Sequence, residues 1–151
     1  MAKPSERAGL IFDMERFSMG DGPGVRTVVF LKGCNMRCHW CHNPEGLAAE
    51  PELRFHAGRC LGCGACFEAC PTKALREGGE LPAWDPSRCL SCFRCARACY
   101  AQALVRTGRR VTVPEVLAEV LEDAAFYRRS GGGVMLSGGT HPLILLSGLW
   151  N

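Results

Sequence analysis

Long apolar runs are missing from this 151-residue chain. None approaches the ~20 residues that a membrane-spanning helix needs, so no such span is expected. The opening residues, MAKPSERAGL, put charges and a proline where an export signal needs its apolar stretch. A cytoplasmic protein is therefore expected. Lysine is scarce, with 3 against 15 arginines, and acids nearly balance the bases at 15 to 18. A formal charge of +3, scattered along the chain, gives no electrostatic footprint for nucleic acid or a membrane surface. Disorder is excluded by the 47% of hydrophobic residues. What the chain has in excess is cysteine, 11 residues. Structural disulfides are rare in reducing compartments, and an odd count cannot pair off completely. The thiols are expected to hold metal.

Their spacing sorts them into three groups with none left over. The first is Cys34-Asn-Met-Arg-Cys38-His-Trp-Cys41. The second is Cys60-Leu-Gly-Cys63-Gly-Ala-Cys66-Phe-Glu-Ala-Cys70-Pro71, and the third is Cys89-Leu-Ser-Cys92-Phe-Arg-Cys95-Ala-Arg-Ala-Cys99-Tyr100. The last two form an internal repeat offset by 29 residues, identical at 8 of 16 positions between 60–75 and 89–104. A repeat this short cannot bury a core of its own, so two copies should pack about a pseudo-twofold axis. Three thiols within seven residues wrap one face of a cubane, and in bacterial ferredoxins the fourth ligates the other cluster. That rule assigns Cys60, Cys63, Cys66 and Cys99 to one [4Fe–4S] cluster and Cys89, Cys92, Cys95 and Cys70 to a second. Structural zinc is the competing assignment, but zinc sites draw on separated Cys-x2-Cys pairs. Tyr100 stands where a second proline is expected, a departure that removes no ligand.

Around this segment a second fold is expected. Gly9-Leu-Ile-Phe-Asp13 and Val25-Arg-Thr-Val-Val-Phe-Leu31 read as strands, with a turn at Asp21-Gly-Pro-Gly24 between them. Thr112-Val-Pro-Glu115 is a capping-box start with proline in the first turn. One helix should continue to Arg128 and Arg129 and stop at Gly131. Gly133-Val-Met-Leu-Ser137 follows as a strand, then Gly138-Gly139. A strand–helix–strand order predicts a right-handed parallel unit with ligand loops at the strand C-termini. Both the 34–41 loop and Gly138-Gly139 occupy such ends. The expected domains are 1–50 with 107–139, an inserted 51–106, and a divergent tail at 140–151. Taken alone, the 34–41 triplet leaves three possibilities open. It could be a cubane with one open iron, a damaged four-ligand site, or a site completed by His39 or His42.

The wider constellation resembles a known family. Phe17-Ser-Met-Gly-Asp-Gly-Pro-Gly-Val-Arg-Thr27, Phe30-Leu-Lys-Gly-Cys-Asn-Met-Arg-Cys-His-Trp-Cys-His-Asn-Pro-Glu45 and Gly131-Gly-Gly-Val-Met-Leu-Ser-Gly-Gly139 are similar to motifs of the glycyl radical enzyme activating enzymes. These are radical S-adenosylmethionine (SAM) proteins. The resemblance implies an α/β fold, the N-terminal portion of a partial (β/α) barrel with an inserted two-cluster ferredoxin-like domain. It implies three [4Fe–4S] clusters, with SAM on the open iron of the one held by Cys34, Cys38 and Cys41. Reductive SAM cleavage would give a 5′-deoxyadenosyl radical that takes hydrogen from a glycine of a partner glycyl radical enzyme. Trp40, His42, Gly138 and Gly139 match SAM-contact positions, and residues 21–26 match the loop near the glycyl peptide. A low-potential donor such as flavodoxin or ferredoxin is implied, and the auxiliary clusters would relay electrons or hold the fold. For Gly138 and Gly139 there is a separate reason, since a turn without side chains lets backbone donors approach a ligand.

The family follows Ser-Gly-Gly with Glu-Pro, its glutamate receiving the SAM ammonium. Here Thr140-His141-Pro142 follows instead. A full α/β barrel takes ~200 residues or more, so a frameshifted or truncated chain of impaired activity is expected, with a real short form as the alternative and the apolar 143–150 tail an aggregation liability. Two other readings remain: an iron–sulfur electron-transfer module, and an inactive fragment.

Overall fold

A computed structural model describes residues 8–79 and 81–139. Thr140 and the tail, on which the readings of the missing glutamate and of aggregation rest, lie outside the described residues. Over the described residues the chain is mixed α/β and separates into two compact units, one of residues 8–50 and 108–139 and one spanning Pro51–Thr107. No helix among the described residues is long and apolar enough to cross a membrane.

The first unit is built on a four-stranded sheet. Strands β1 (Ala8–Ser18) and β2 (Arg26–Leu31) pair antiparallel. Strand β7 (Arg109–Thr112) pairs antiparallel with the start of β1, and β8 (Gly133–Gly138) runs parallel to β2, giving the order β7-β1-β2-β8. Strand β1 is far longer than the five residues expected from composition. Its polar second half continues because the ladder to β2 pairs Met14 with Val29 and, past a bulge between Glu15 and Ser18, Ser18 with Arg26. Strand β7 is an element that the sequence pattern does not announce. Arg109 and Arg110 carry no strand signal, yet their backbones pair with Ile11 and Leu10.

The capping box forms as expected: the Thr112 hydroxyl accepts from the Glu115 amide, and the Glu115 carboxylate accepts from the Thr112 amide at 2.6 Å. The helix it starts is not continuous. It divides into α3 (Val113–Leu121) and α4 (Ala124–Ser130), which ends on left-handed Gly131 (φ 72°). Ile11, Val29, Leu31, Val111 and Val120 form the core between sheet and helices. The division falls at Asp123, which is 1% exposed. Its carboxylate accepts from Arg16 Nε at 2.7 Å and from the Thr27 hydroxyl at 3.2 Å, while Tyr127 donates to Thr27 at 2.6 Å. Strands β1 and β2 thus reach a buried charge at the helix junction. The loss of helix continuity there is offset by these bonds.

The second unit carries the 29-residue repeat in its backbone. Strand β3 (Glu52–Phe55) pairs with β6 (Leu104–Thr107), and β4 (Leu75–Arg76) with β5 (Ala83–Trp84). Phe55 faces Leu104 in one ladder and Trp84 faces Leu75 in the other, the same pair shifted by one repeat. The His56 amide donates to the Ala103 carbonyl at 2.7 Å, and the Asp85 amide to that of Ala74 at 2.8 Å. Helices α1 (Ala65–Ala69) and α2 (Arg94–Ala98) occupy equivalent places. Each copy contributes one strand to each ladder. This is the exchange that a pseudo-twofold axis requires.

The Arg16 guanidinium holds the Asp123 carboxyl below its usual range, against the opposing effect of burial. The resulting stabilisation is complete above the ordinary carboxylate pKa of about 4. It is lost as pH falls through the lowered folded value. Arg16→Gln should therefore lower the thermal midpoint at neutral pH, and the deficit should shrink on acidification. A deficit that does not change with pH would contradict this assignment.

Candidate functional site

In the second unit the thiols gather around two cavities. One is lined by Cys60, Cys63, Cys66 and Cys99, with Phe55, Leu61 and Leu104 in its walls. The other is lined by Cys70, Cys89, Cys92 and Cys95, with Trp84, Leu90 and Leu75 in its walls. Each cavity takes three thiols from one copy of the repeat and the fourth from the other. Helices α1 and α2 arrange the exchange: each buries the third cysteine of its own run and delivers the fourth one turn later, to the other cavity. Among the described residues, no three Cys, His, Asp or Glu side chains close up tightly enough for a single metal ion.

Electrostatics in the two cavities follow the same grouping. Burial pushes the Cys66 thiol up, and negative charge on Cys60, Cys63 and Cys99 adds to that. Burial also pushes the Cys95 thiol up, with Cys70 and Cys89 acting the same way. Burial tends to raise Cys70 too, but amide donors and the Thr72 hydroxyl outweigh it, and its thiol is held low. The Ala74 amide lies 3.2 Å from the Cys70 sulfur, and the Leu104 amide 3.5 Å from that of Cys99. Crowded thiolates with inward amides are stable once positive iron fills the space, so loading such a site releases protons.

The loops reach these positions through left-handed backbone. Gly62 (φ 64°), Gly64 (φ 73°) and Lys73 (φ 54°) in the first copy correspond to Ser91 (φ 50°), Phe93 (φ 55°) and Gln102 (φ 51°) in the second. Bulky residues in that region are strained by roughly 1–3 kcal/mol. The second copy keeps the loop shape despite lacking both glycines, so the cysteine positions constrain the backbone more than residue preference does.

The three-cysteine loop belongs to the first unit. It leaves β2 at its C-terminal end and is closed at its base by three bonds. Gly33 N–H donates to Gly46 at 2.7 Å, Cys34 N–H to Leu47 at 3.1 Å, and Lys32 Nζ to the Glu45 carbonyl at 2.6 Å. Lys32 is 3% exposed and was not singled out from sequence; its signal was a lone lysine ending an apolar strand. Cys34 and Cys38 are half-buried and Cys41 is exposed, as are His39, His42 and Trp40, the last 79% exposed.

Gly138 and Gly139 come to the same sheet end, since Leu31 pairs with Gly138. A Cβ on Gly138 would meet the Leu31 oxygen at 2.4 Å, and one on Gly139 the Gly33 oxygen at 2.7 Å. The Gly139 N–H donates to Leu31 at 2.7 Å. Close backbone packing thus accounts for glycine at both positions, and the Gly139 donor is engaged within the protein rather than offered to a ligand.

Comparison with known proteins agrees with this chemistry. Residues 52–100 match the family described as a 4Fe-4S dicluster domain, and residues 20–70 match a 4Fe-4S single cluster domain. The chain is 50% identical over 135 residues to the benzylsuccinate synthase activating enzyme of Thauera aromatica, covering 86% of this chain and 41% of that protein. It is 44% identical over 149 residues to the isethionate sulfite-lyase activating enzyme of Desulfovibrio desulfuricans, covering 95% and 47%. It is also 44% identical over 130 residues to the trans-4-hydroxy-L-proline dehydratase activating enzyme of Clostridioides difficile, covering 86% and 43%. The chain is an iron–sulfur protein. By sequence it is similar to the glycyl radical enzyme activating enzymes, and it spans less than half the length of these curated relatives.

Gly139→Ala should destabilise the chain by roughly 1–3 kcal/mol, because the new methyl meets backbone that cannot yield. Gly133→Ala, where a Cβ has nothing within 4 Å, serves as the control and should be tolerated. Equal thermal midpoints for the two variants would contradict the packing role of Gly139.

Proposed function

We propose that the chain carries the cluster-binding part of an activating enzyme, with Cys34, Cys38 and Cys41 holding a [4Fe–4S] cluster whose open iron receives SAM. Cys60, Cys63, Cys66 and Cys99 hold a second cluster, and Cys89, Cys92, Cys95 and Cys70 a third. Residues 51–106 act as a ferredoxin-like insert in a partial radical SAM barrel formed by 1–50 and 107–139. The observation that carries the reading is the partition of the thiols. Two sets of four line their own cavities, and the remaining three occupy one loop at a strand end.

The chain's residues have distinct tasks in this reading. Lys32 and the Gly33 and Cys34 amides clamp the loop base, so three thiols are presented from a fixed frame. Trp40 offers an exposed aromatic face between Cys38 and Cys41 against which an adenosine could lie. His42 is exposed on the same loop, and Gly138 and Gly139 bring the end of β8 against the loop base at Leu31 and Gly33. Cys34, Cys38 and Cys41 would hold a cluster that, with SAM, would supply one-electron cleavage of the sulfonium C–S bond and hydrogen-atom abstraction from a glycine of a partner enzyme. Glycyl radical enzymes are the proposed protein substrates. A flavodoxin- or ferredoxin-type donor is the proposed electron source, with the dicluster unit relaying electrons.

Anaerobically reconstituted chain should hold three clusters, about twelve irons, and Cys34→Ala about eight. Adding SAM to the reduced chain should change the electron paramagnetic resonance (EPR) signal that Cys34→Ala removes and leave the others alone. Zinc in place of iron, or a signal indifferent to SAM, would refute the reading; in the second case a plain electron-transfer module would be favoured.

A further inference from the structure

The pseudo-twofold axis makes the two cavities directly comparable, and their charged surroundings differ. Glu77 lines the Cys60/Cys63/Cys66/Cys99 cavity. Shifted by one repeat, its place is taken by Arg106, whose guanidinium lies 4.9 Å from the centre of the Phe93 ring. Phe93 in turn lines the Cys70/Cys89/Cys92/Cys95 cavity. Ala65, the first residue of α1, corresponds to Arg94, the first of α2, next to Cys95. Over matched windows, residues 60–77 carry Glu68, Lys73, Arg76 and Glu77, whose charges cancel. Residues 89–106 carry Arg94, Arg97 and Arg106 and no acid. The hydroxyl of Thr72 lies 3.7 Å from the Cys70 sulfur, whereas its counterpart, Ala101, has none to offer.

A cluster that accepts an electron gains a negative charge. Nearby cations and hydrogen-bond donors to sulfur favour that state, and a nearby carboxylate opposes it. Phe93, a wall of the cavity that also contacts Arg106, lowers the local dielectric through which that guanidinium acts. Arg94, Arg106 and Thr72 all act in the opposite sense to Glu77.

We propose that the dicluster unit is electrostatically polarised, so that the cluster of Cys70, Cys89, Cys92 and Cys95 is reduced before that of Cys60, Cys63, Cys66 and Cys99. Arg94, Arg106 and Glu77 set the order. The inference rests on the cluster occupancy proposed above. The electron preference is at least tenfold, which for a one-electron couple corresponds to about 59 mV. Because these side chains are exposed, added salt should narrow the separation.

The test uses the full chain with Cys34, Cys38 and Cys41 all changed to Ala, so that only the dicluster unit reports. It is loaded anaerobically, assayed for iron and titrated with dithionite under EPR. Two one-electron waves are expected. Arg94→Gln with Arg106→Gln should lower the higher wave and leave the lower one in place, while Glu77→Gln should raise the lower wave alone. Iron content of each variant shows that both clusters remain. About eight irons per chain with coincident waves, or with the arginine changes moving the lower wave, would overturn the inference and leave the occupancy standing. Fewer irons in the parent chain would overturn both.

Discussion

Each copy of the 29-residue repeat lines one cavity with three thiols and reaches the other with its fourth. Neither cavity is complete without both copies. This exchange determines much else in the second unit. It requires α1 and α2 to lie side by side, with Cys66 and Cys95 buried at equivalent places. It also requires Phe55–Leu104 and Trp84–Leu75 to recur as symmetric pairs. The buried core there consists of little more than Ala74, Leu75, Leu104 and the cysteines themselves. A unit of this size lacks the apolar volume to be stable alone, and metal ligation replaces it.

The first unit meets a different demand. It must present a twelve-residue excursion bearing three thiols from a rigid sheet end. The parallel pairing of β2 and β8 brings Gly138 and Gly139 so close to Leu31 and Gly33 that a methyl group cannot fit. Lys32, buried between strand and loop, spends its ammonium on a carbonyl of the loop's far end. On the helix side, Asp123 draws Arg16 and Thr27 into one network and fixes the α3–α4 junction. Both devices join segments distant in sequence at the points where the sheet ends or the helix breaks.

Local features were legible in the sequence. The capping box at Thr112 and the left-handed stop at Gly131 depend on neighbours within four residues, and both form as read. The cysteine groups and the repeat were equally plain, because ligand spacing is written along the chain. Features settled at long range were not legible. The break at Asp123 is decided by Arg16, 107 residues away, and no helical periodicity announces it. Strand β7 exists because β1 offers an open edge, not because Arg109 and Arg110 favour extended backbone. Gly138 and Gly139 were read as a turn whose backbone donors approach a ligand; what approaches them in the structure is the protein's own backbone. Ser91 and Phe93 hide a conformation that Gly62 and Gly64 advertise.

The exchange of the fourth thiol is tested most directly by matching single-cysteine variants in EPR of the reduced chain. Cys99→Ser should perturb the same cluster signal as Cys63→Ser, although 36 residues separate them, and Cys70→Ser the same signal as Cys92→Ser. If Cys99→Ser instead reproduces the effect of Cys92→Ser, each run closes on its own cluster and the two copies are not interlocked.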